Sequence, residues 1–168
     1  MRITDKYVFF WGEEFSNFFP CTIKYEHNKN EYTFSSSEQL FMWLKAKTFK
    51  DDEIAREILK ADTPHNAKKL GRKVKGFDTT IWEEHRERAM KIALWNKFSQ
   101  NSDLRDFFLS ERFDNKIFVE ASPFDKIWGI GLAENDKLAN DKKNWKGLNL
   151  LGKCLNEIRE ELIATYKH

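Results

Sequence analysis

"EYTFSSSEQLFMWLKAK", residues 31–47, holds the change of period on which the fold turns. Its first four residues are rich in aromatic and β-branched types, which suits a strand. Three serines follow, and Ser35 or Ser36 is placed to cap a helix running through "EQLFMWLKAK", where the apolar spacing becomes helical.

Upstream of this point the chain reads as short strands. "YVFFW" (7–11) and "TIKYE" (22–26) resemble "EYTF" in composition, and "HNKN" (27–30) supplies a hairpin turn between the last two. "GEEFSNFFPC" (12–21) is broken by Gly12, Ser16, Asn17 and Pro20, so it is a loop whose phenylalanines fold against something. Downstream the chain reads as helices. Asp51 starts one through "DEIAREILK", Thr63 with Pro64 starts a second that ends near Gly71, and Thr80 with Glu83 forms a capping box for a long helix to about Phe98. A short helix over 103–109, a strand "KIFVEA" (116–121) and a terminal helix over 149–165 complete the pattern, while the polar excursion 133–144 reads as a mobile surface loop. Strands at the start, one late strand and helices elsewhere predict an α+β fold: a mainly helical single domain over 1–168 with a small N-terminal β-sheet.

Composition narrows the functional classes. No run of about 20 apolar residues exists, and "MRITDKY" is unlike a signal peptide, so the expectation is a cytoplasmic protein with no membrane partner. Cys21 and Cys154 are too few and too distant for a zinc cluster or a disulfide framework and are read as reduced packing residues. His27, His65, His85 and His168 show no metal-ligand spacing, so no metal and no cofactor is expected. With 29 basic against 27 acidic residues, a broad electrostatic grip on nucleic acid is not demanded, although a local anion site remains open. Fifteen Phe mostly fill a core; six Trp, each with an indole N–H and a flat face, point instead toward a pocket for a planar ligand.

Two stretches carry candidate chemistry. On the helix after Ser36, residues Glu38, Met42, Lys45 and Phe49 form one stripe, so a carboxylate and an ammonium sit on or beside an apolar face. Seven residues make a rise of roughly 10 Å at about 1.5 Å each, too long for a routine ion pair but suited to a group lying across both. The alternative is that both side chains snorkel to water. In "VEASPFDKIWGIG" (119–131), Glu120 and Asp125 lie beside Trp128, Gly129 and Gly131. Two acids with different surroundings can hold different protonation states, the requirement for splitting a glycosidic bond. The alternative is an Asx turn at Asp125 with Glu120 on the exposed side of its strand. There is no dinucleotide fingerprint, no P-loop and no nucleophile elbow.

Taken in order, "FSNFFPC" (15–21), "SSEQLFMWLKA" (36–46), "AKKLGRKVKGFD" (67–78), Trp82 with Met90, "KFSQN" (97–101), "VEASPFDKIWGIG" (119–131) and "WKGLNLLG" (145–152) resemble the YbiA-like family, also called NADAR, over nearly the whole chain. The resemblance implies an N-glycosidase of α+β fold that cleaves the bond between ribose C1′ and nitrogen. Its substrate would be a ribosylamino-pyrimidine phosphate of early riboflavin synthesis or ADP-ribosylated guanine in nucleic acid. Carried over by motif position, Glu38, Lys45 and Asp125 would be catalytic, and Asn17, Arg72, Trp82, Glu120, Trp128 and Gly129 would bind substrate. A ribose would lie between the helix and the loop, with its base on Trp82 or Trp128. Lys45 would hydrogen-bond the sugar or attack C1′, and Arg72 would hold phosphate. Gln39 stands where some relatives have histidine. The rival reading is a non-catalytic module that reads ADP-ribose or NAD through the same aromatic cleft, and a third is a structural interaction protein with an exposed aromatic patch. The oligomeric state is open.

Overall fold

In the computed structural model, which describes residues 1–167, the strand-to-helix switch falls where the serines stand. His168 lies outside the described residues. The chain divides into two compact units, Asn17–Leu104 and a second made of Met1–Ser16 with the chain from Arg105 onward.

The Asn17–Leu104 unit begins with a hairpin, β1 (Ile23–His27) against β2 (Asn30–Phe34), in antiparallel register from Ile23↔Phe34 to His27↔Asn30. Asn28 and Lys29 both have positive φ, as the two-residue turn that follows the strand twist requires. Helix α1 (Ser37–Thr48) follows, capped by Ser36, whose side chain accepts from the Gln39 amide. Helices α2 (Asp52–Leu59), α3 (Pro64–Gly71) and α4 (Thr79–Gln100) pack around it. The caps of α2 and α3 are Asp51 and Thr63, with Pro64 in the first turn, as predicted. The cap of α4 is Asp78, which accepts from the Ile81 amide, and not the Thr80–Glu83 box; the helix starts at Thr79, so aspartate one position before it satisfies an orphan donor two residues upstream of the one a Thr80 cap would take. Helix α1 is buried from Ser37 through Leu44 on every side, which is why its apolar pattern lacks a single stripe. Trp43 forms the centre on one flank, with Tyr25, His27, Tyr32 and Phe34 all within ring contact. Helix α5 (Ser102–Phe108) spans the boundary to the other unit.

The other unit is built on a three-stranded sheet of β3 (Arg2–Ile3), β4 (Tyr7–Phe10) and β5 (Ile117–Glu120), with β4 at the centre. The β3–β4 pair is antiparallel and the β4–β5 pair parallel, Tyr7 facing Ile117 and Phe10 facing Glu120. The strands of the N-terminal third thus belong to two sheets, and the late strand completes one of them. Phe15 is a hub, touching the rings of Phe10, Phe107, Phe108, Phe113 and Phe118. On the other face Tyr7, Phe9, Val119, Ile130, Leu132 and Ala139 form a second cluster against which Trp145 packs. Helix α6 (Leu150–Tyr166) lies on β5.

The excursion 133–144, expected to be a mobile loop, instead forms two short 3-10 turns, Lys137–Asn140 and Lys142–Asn144. Asp136 and Asp141 cap them, Ala139 is fully buried, and the Trp145 indole donates to the Ala139 carbonyl at 2.8 Å. Two of its polar residues are caps, a role that composition alone does not distinguish from disorder. Both cysteines are free, and among the described residues no helix is long and apolar enough to cross a membrane. Among the described residues no three His, Cys, Asp or Glu gather in a way that could hold a metal ion.

Candidate active site

Glu38 owes its place to the start of α1. Its amide donates to the Asn17 carbonyl at 3.0 Å, and the neighbouring Ser37 hydroxyl donates to the Asn17 side-chain oxygen at 2.8 Å. The other end of the Asn17 amide donates to the Met90 sulfur at 3.3 Å, tying the helix start to α4. Asn17 therefore spends its side chain on fixing the turn that presents Glu38. The carboxylate itself is only 7% exposed, so it did not choose the solvated alternative.

Two turns further on, Lys45 is half-buried among aromatic rings. Its Nζ stands 4.8 Å from the centre of the Phe77 ring and 5.8 Å from that of Trp82. Burial holds its amine below the usual lysine range, against the opposing pull of the Glu38 carboxylate and with a further push from the Arg72 guanidinium. Glu38, Lys45, Arg72 and Trp82, four residues singled out from the sequence, thus form one electrostatic and aromatic cluster within a single unit. Trp82 is 9% exposed and lies between Phe41 at 5.5 Å and Phe49 at 6.2 Å, centre to centre. Gly71 lets α3 approach α1: a Cβ there would meet the Met42 sulfur at 2.1 Å, so the helix bearing Arg72 at its end can sit against the stripe.

The sign of the coupling gives a test. Glu38→Gln removes the charge that raises the Lys45 pKa, so Lys45 titrates at lower pH; Arg72→Met removes a charge that lowers it, so Lys45 titrates at higher pH. The pH dependence of Lys45 acylation, followed by peptide mass spectrometry, is expected to shift in opposite directions in the two variants. Superimposable curves for both variants and the wild type would contradict the cluster.

The other set lies in the second unit. Ser122, 4% exposed, accepts from the amides of Phe124 and Asp125, and Asp125 Oδ1 in turn accepts from Ile127 at 2.9 Å and Trp128 at 2.8 Å. Asp125 is thus the head of an Asx turn, the alternative raised by the sequence. Glu120 ends β5, its amide donating to Asn149 Oδ1 and its carbonyl accepting from the Ile130 amide, so the loop folds back onto the strand that precedes it. Gly129 makes this possible, because a Cβ would come within 2.9 Å of the Glu120 carbonyl and 3.0 Å of that of Asp125. The carbonyls of residues 126 to 130 then accept amides from 146 to 151, among them Gly129 from Asn149 and Trp128 from Leu151.

Sequence reasoning passed over Phe77, Ser122 and Asn149. Ser122 precedes a proline and sits three residues before Asp125, a turn signature that marks it in retrospect. Phe77 stands between Gly76 and the cap Asp78 and reads as loop.

With this geometry in hand, similarity to known proteins can be read. A family model described as the NADAR domain matches residues 9–163. The chain is 41% identical over 167 residues to N-glycosidase R617 of Acanthamoeba polyphaga mimivirus, covering 94% of this chain and 97% of that protein. It is 33% identical over 149 residues to N-glycosidase YbiA of Shigella flexneri, covering 89% and 81%. Among solved structures, the NMR structure of the E. coli protein YbiA aligns with a TM-score of 0.74 at 29% identity, covering 99% of this chain and 91% of that one.

Proposed function

The chain belongs to the NADAR domain family and is a hydrolase of N-glycosyl bonds, and from that premise we propose that it cleaves the bond between ribose C1′ and nitrogen through Glu38 and Lys45. The substrate is a ribosylamino-pyrimidine phosphate or an ADP-ribosylated guanine, and Arg72 at the end of α3 takes a phosphate oxygen. The observation that carries the reading is the cluster itself: a buried carboxylate and a lysine whose amine is held below its usual range, on one helix, beside an arginine.

In the covalent course, the neutral Lys45 amine attacks C1′ as the C1′–N bond breaks, and the proton the amine gives to Glu38 passes to the departing nitrogen; the Lys45 nitrogen lone pair then breaks the C1′–O4′ bond, O4′ takes a proton from water to leave a protonated Schiff base, and the hydroxide adds to C1′ and frees Lys45. Glu38 stabilises the positive charge growing at C1′ and accepts the proton lost by the attacking group. Asp125 acts through position: with Oδ1 given to two amides, it holds the turn that presents Trp128. Glu120 and Gly129 serve the same loop. The non-catalytic reader of ADP-ribose or NAD would use the same residues without turnover, and it leaves the depressed lysine without a task.

The test is incubation with both substrate classes, measuring released base, ribose phosphate and ADP-ribose, with and without borohydride. Base release with a sugar adduct trapped on Lys45 is expected. Turnover without any trapped adduct removes the covalent step; binding of ADP-ribose without release of base from either class removes the enzyme.

A further inference from the structure

Phe77 is the one ring of the Lys45 cluster that faces solvent. It is 47% exposed, whereas Trp82 and Phe41 are buried at 9% and 3%. Its position is fixed from both sides. Gly76 before it has φ +76°, a conformation other residues adopt at a cost, and Asp78 after it is the cap of α4. The strand of loop that carries it is pinned to α2, because Asp51 Oδ2 accepts from the Lys75 amide at 2.8 Å while Oδ1 caps that helix. Behind the ring stands Phe49, 5.4 Å away centre to centre. The contact with Phe49 leaves nearly half of this large apolar side chain open to water beside a half-buried amine.

We infer that Phe77 is the surface on which the leaving base of the substrate stacks, and that it sets the preference for flat heteroaromatic leaving groups; the inference rests on the proposed N-glycosidase reading. For this part the family resemblance suggested Trp128 or, within the Lys45 cluster, Trp82. Its ring, however, is already enclosed by Phe41 and Phe49, so it can support the wall but has little face left for a ligand. Lys45 Nζ now stands over the Phe77 ring, 4.8 Å from its centre, so a base that takes that face displaces the end of the flexible lysine chain to the base's edge, within reach of the atom that joins it to the sugar. Cutting the aromatic partner of a stacked base to alanine weakens binding by about tenfold or more, and the contact tolerates different heterocycles because each has a π-face.

The experiment uses the full chain with Phe77→Ala, Phe77→Leu and Phe77→Tyr. The probes are ribosyl 5′-phosphates carrying a pyrimidine, a nicotinamide or a guanine ring, together with phosphoribosylamine, which has no aromatic base. For each ring-bearing probe that is turned over, KM is expected to rise about tenfold in Phe77→Ala and Phe77→Leu and to return to within about twofold in Phe77→Tyr, with kcat little changed. Phosphoribosylamine is expected to be insensitive. If KM stays put while the pH profile of kcat moves, Phe77 only shields Lys45 and the inference falls. In parallel, equilibrium binding of each ring-bearing probe to Glu38→Gln is compared with and without Phe77→Ala. That measurement needs no turnover, so an enzyme inactive on every probe would sink the catalytic reading while this comparison still decides the role of Phe77: a tenfold loss supports it and an unchanged affinity overturns it.

Discussion

Glu38→Gln is expected to lower kcat for N-glycosidic cleavage by about a thousandfold and to leave the protein folded. The size follows from the role. A positioned carboxylate that stabilises a developing cation and moves a proton contributes roughly 10²- to 10⁴-fold, and glutamine supplies neither charge nor basicity. The retention of fold follows from how the residue is held. Its backbone amide, not its side chain, joins the Asn17 carbonyl; the helix start is secured by Ser36 on the Gln39 amide and by Ser37 on Asn17. Glutamine has the same shape, and a neutral amide is less costly to bury at 7% exposure than a carboxylate. Thermal unfolding is therefore expected at the wild-type temperature or slightly above it, the usual signature of a site that gives up stability for activity. Steady-state assays beside a melting curve decide the matter: a folded variant that keeps kcat within tenfold would remove Glu38 from the chemistry.

The second large effect is on stability and lies away from any reacting atom. Gly152, in the first turn of α6, faces the outer edge of β5 so closely that a Cβ would meet the Phe118 carbonyl at 2.0 Å and the two ends of the Asn149 amide at 2.4 and 2.6 Å. That amide has work of its own, accepting from the Glu120 amide and donating to the Phe118 carbonyl, so Asn149 stands in for the next strand of the sheet. One methyl group must push the helix off the strand or unseat Asn149, leaving polar groups of β5 unsatisfied. Gly152→Ala is expected to cost about 3 kcal/mol or more. At ~2–4 °C per kcal/mol for a chain of this size, the melting temperature falls by about 6–12 °C. Gly12→Ala is the control. Nothing lies within 4 Å of its Cβ position, and only its φ of +99° resists the change, so a smaller loss of about 1 kcal/mol is expected. Equal losses in the two variants would mean that backbone strain, not the contact with β5, governs both.

Local chemistry made much of this fold readable in advance. The caps Ser36, Asp51 and Thr63 and the Asn28–Lys29 turn act within a few residues, and their side chains announce what they do. Pairing of β4 with β5 was beyond reach, because over a hundred residues intervene and nothing in either strand names its partner. The cap of α4 went to Asp78 because two acceptable cap residues stand close together and only three-dimensional context ranks them. For the site, residue types and spacing brought out Glu38 and Lys45 but could not decide between a buried face and a solvated edge; α1 is enclosed on every side, and that is a property of its neighbours. Phe77 was invisible for the opposite reason. An aromatic side chain between glycine and aspartate carries no periodic signal, and its meaning comes from the lysine beside it.

The way α6 begins has a bearing on how ligand is met. Amides at 148 to 151, which a helix start would ordinarily leave to solvent or to a capping side chain, are taken by carbonyls of the Asp125 turn. That turn is consequently welded to the terminal helix and inherits its rigidity. On the proposed reading, a substrate that meets Trp128 finds the segment already shaped and spends none of its affinity on freezing a loop.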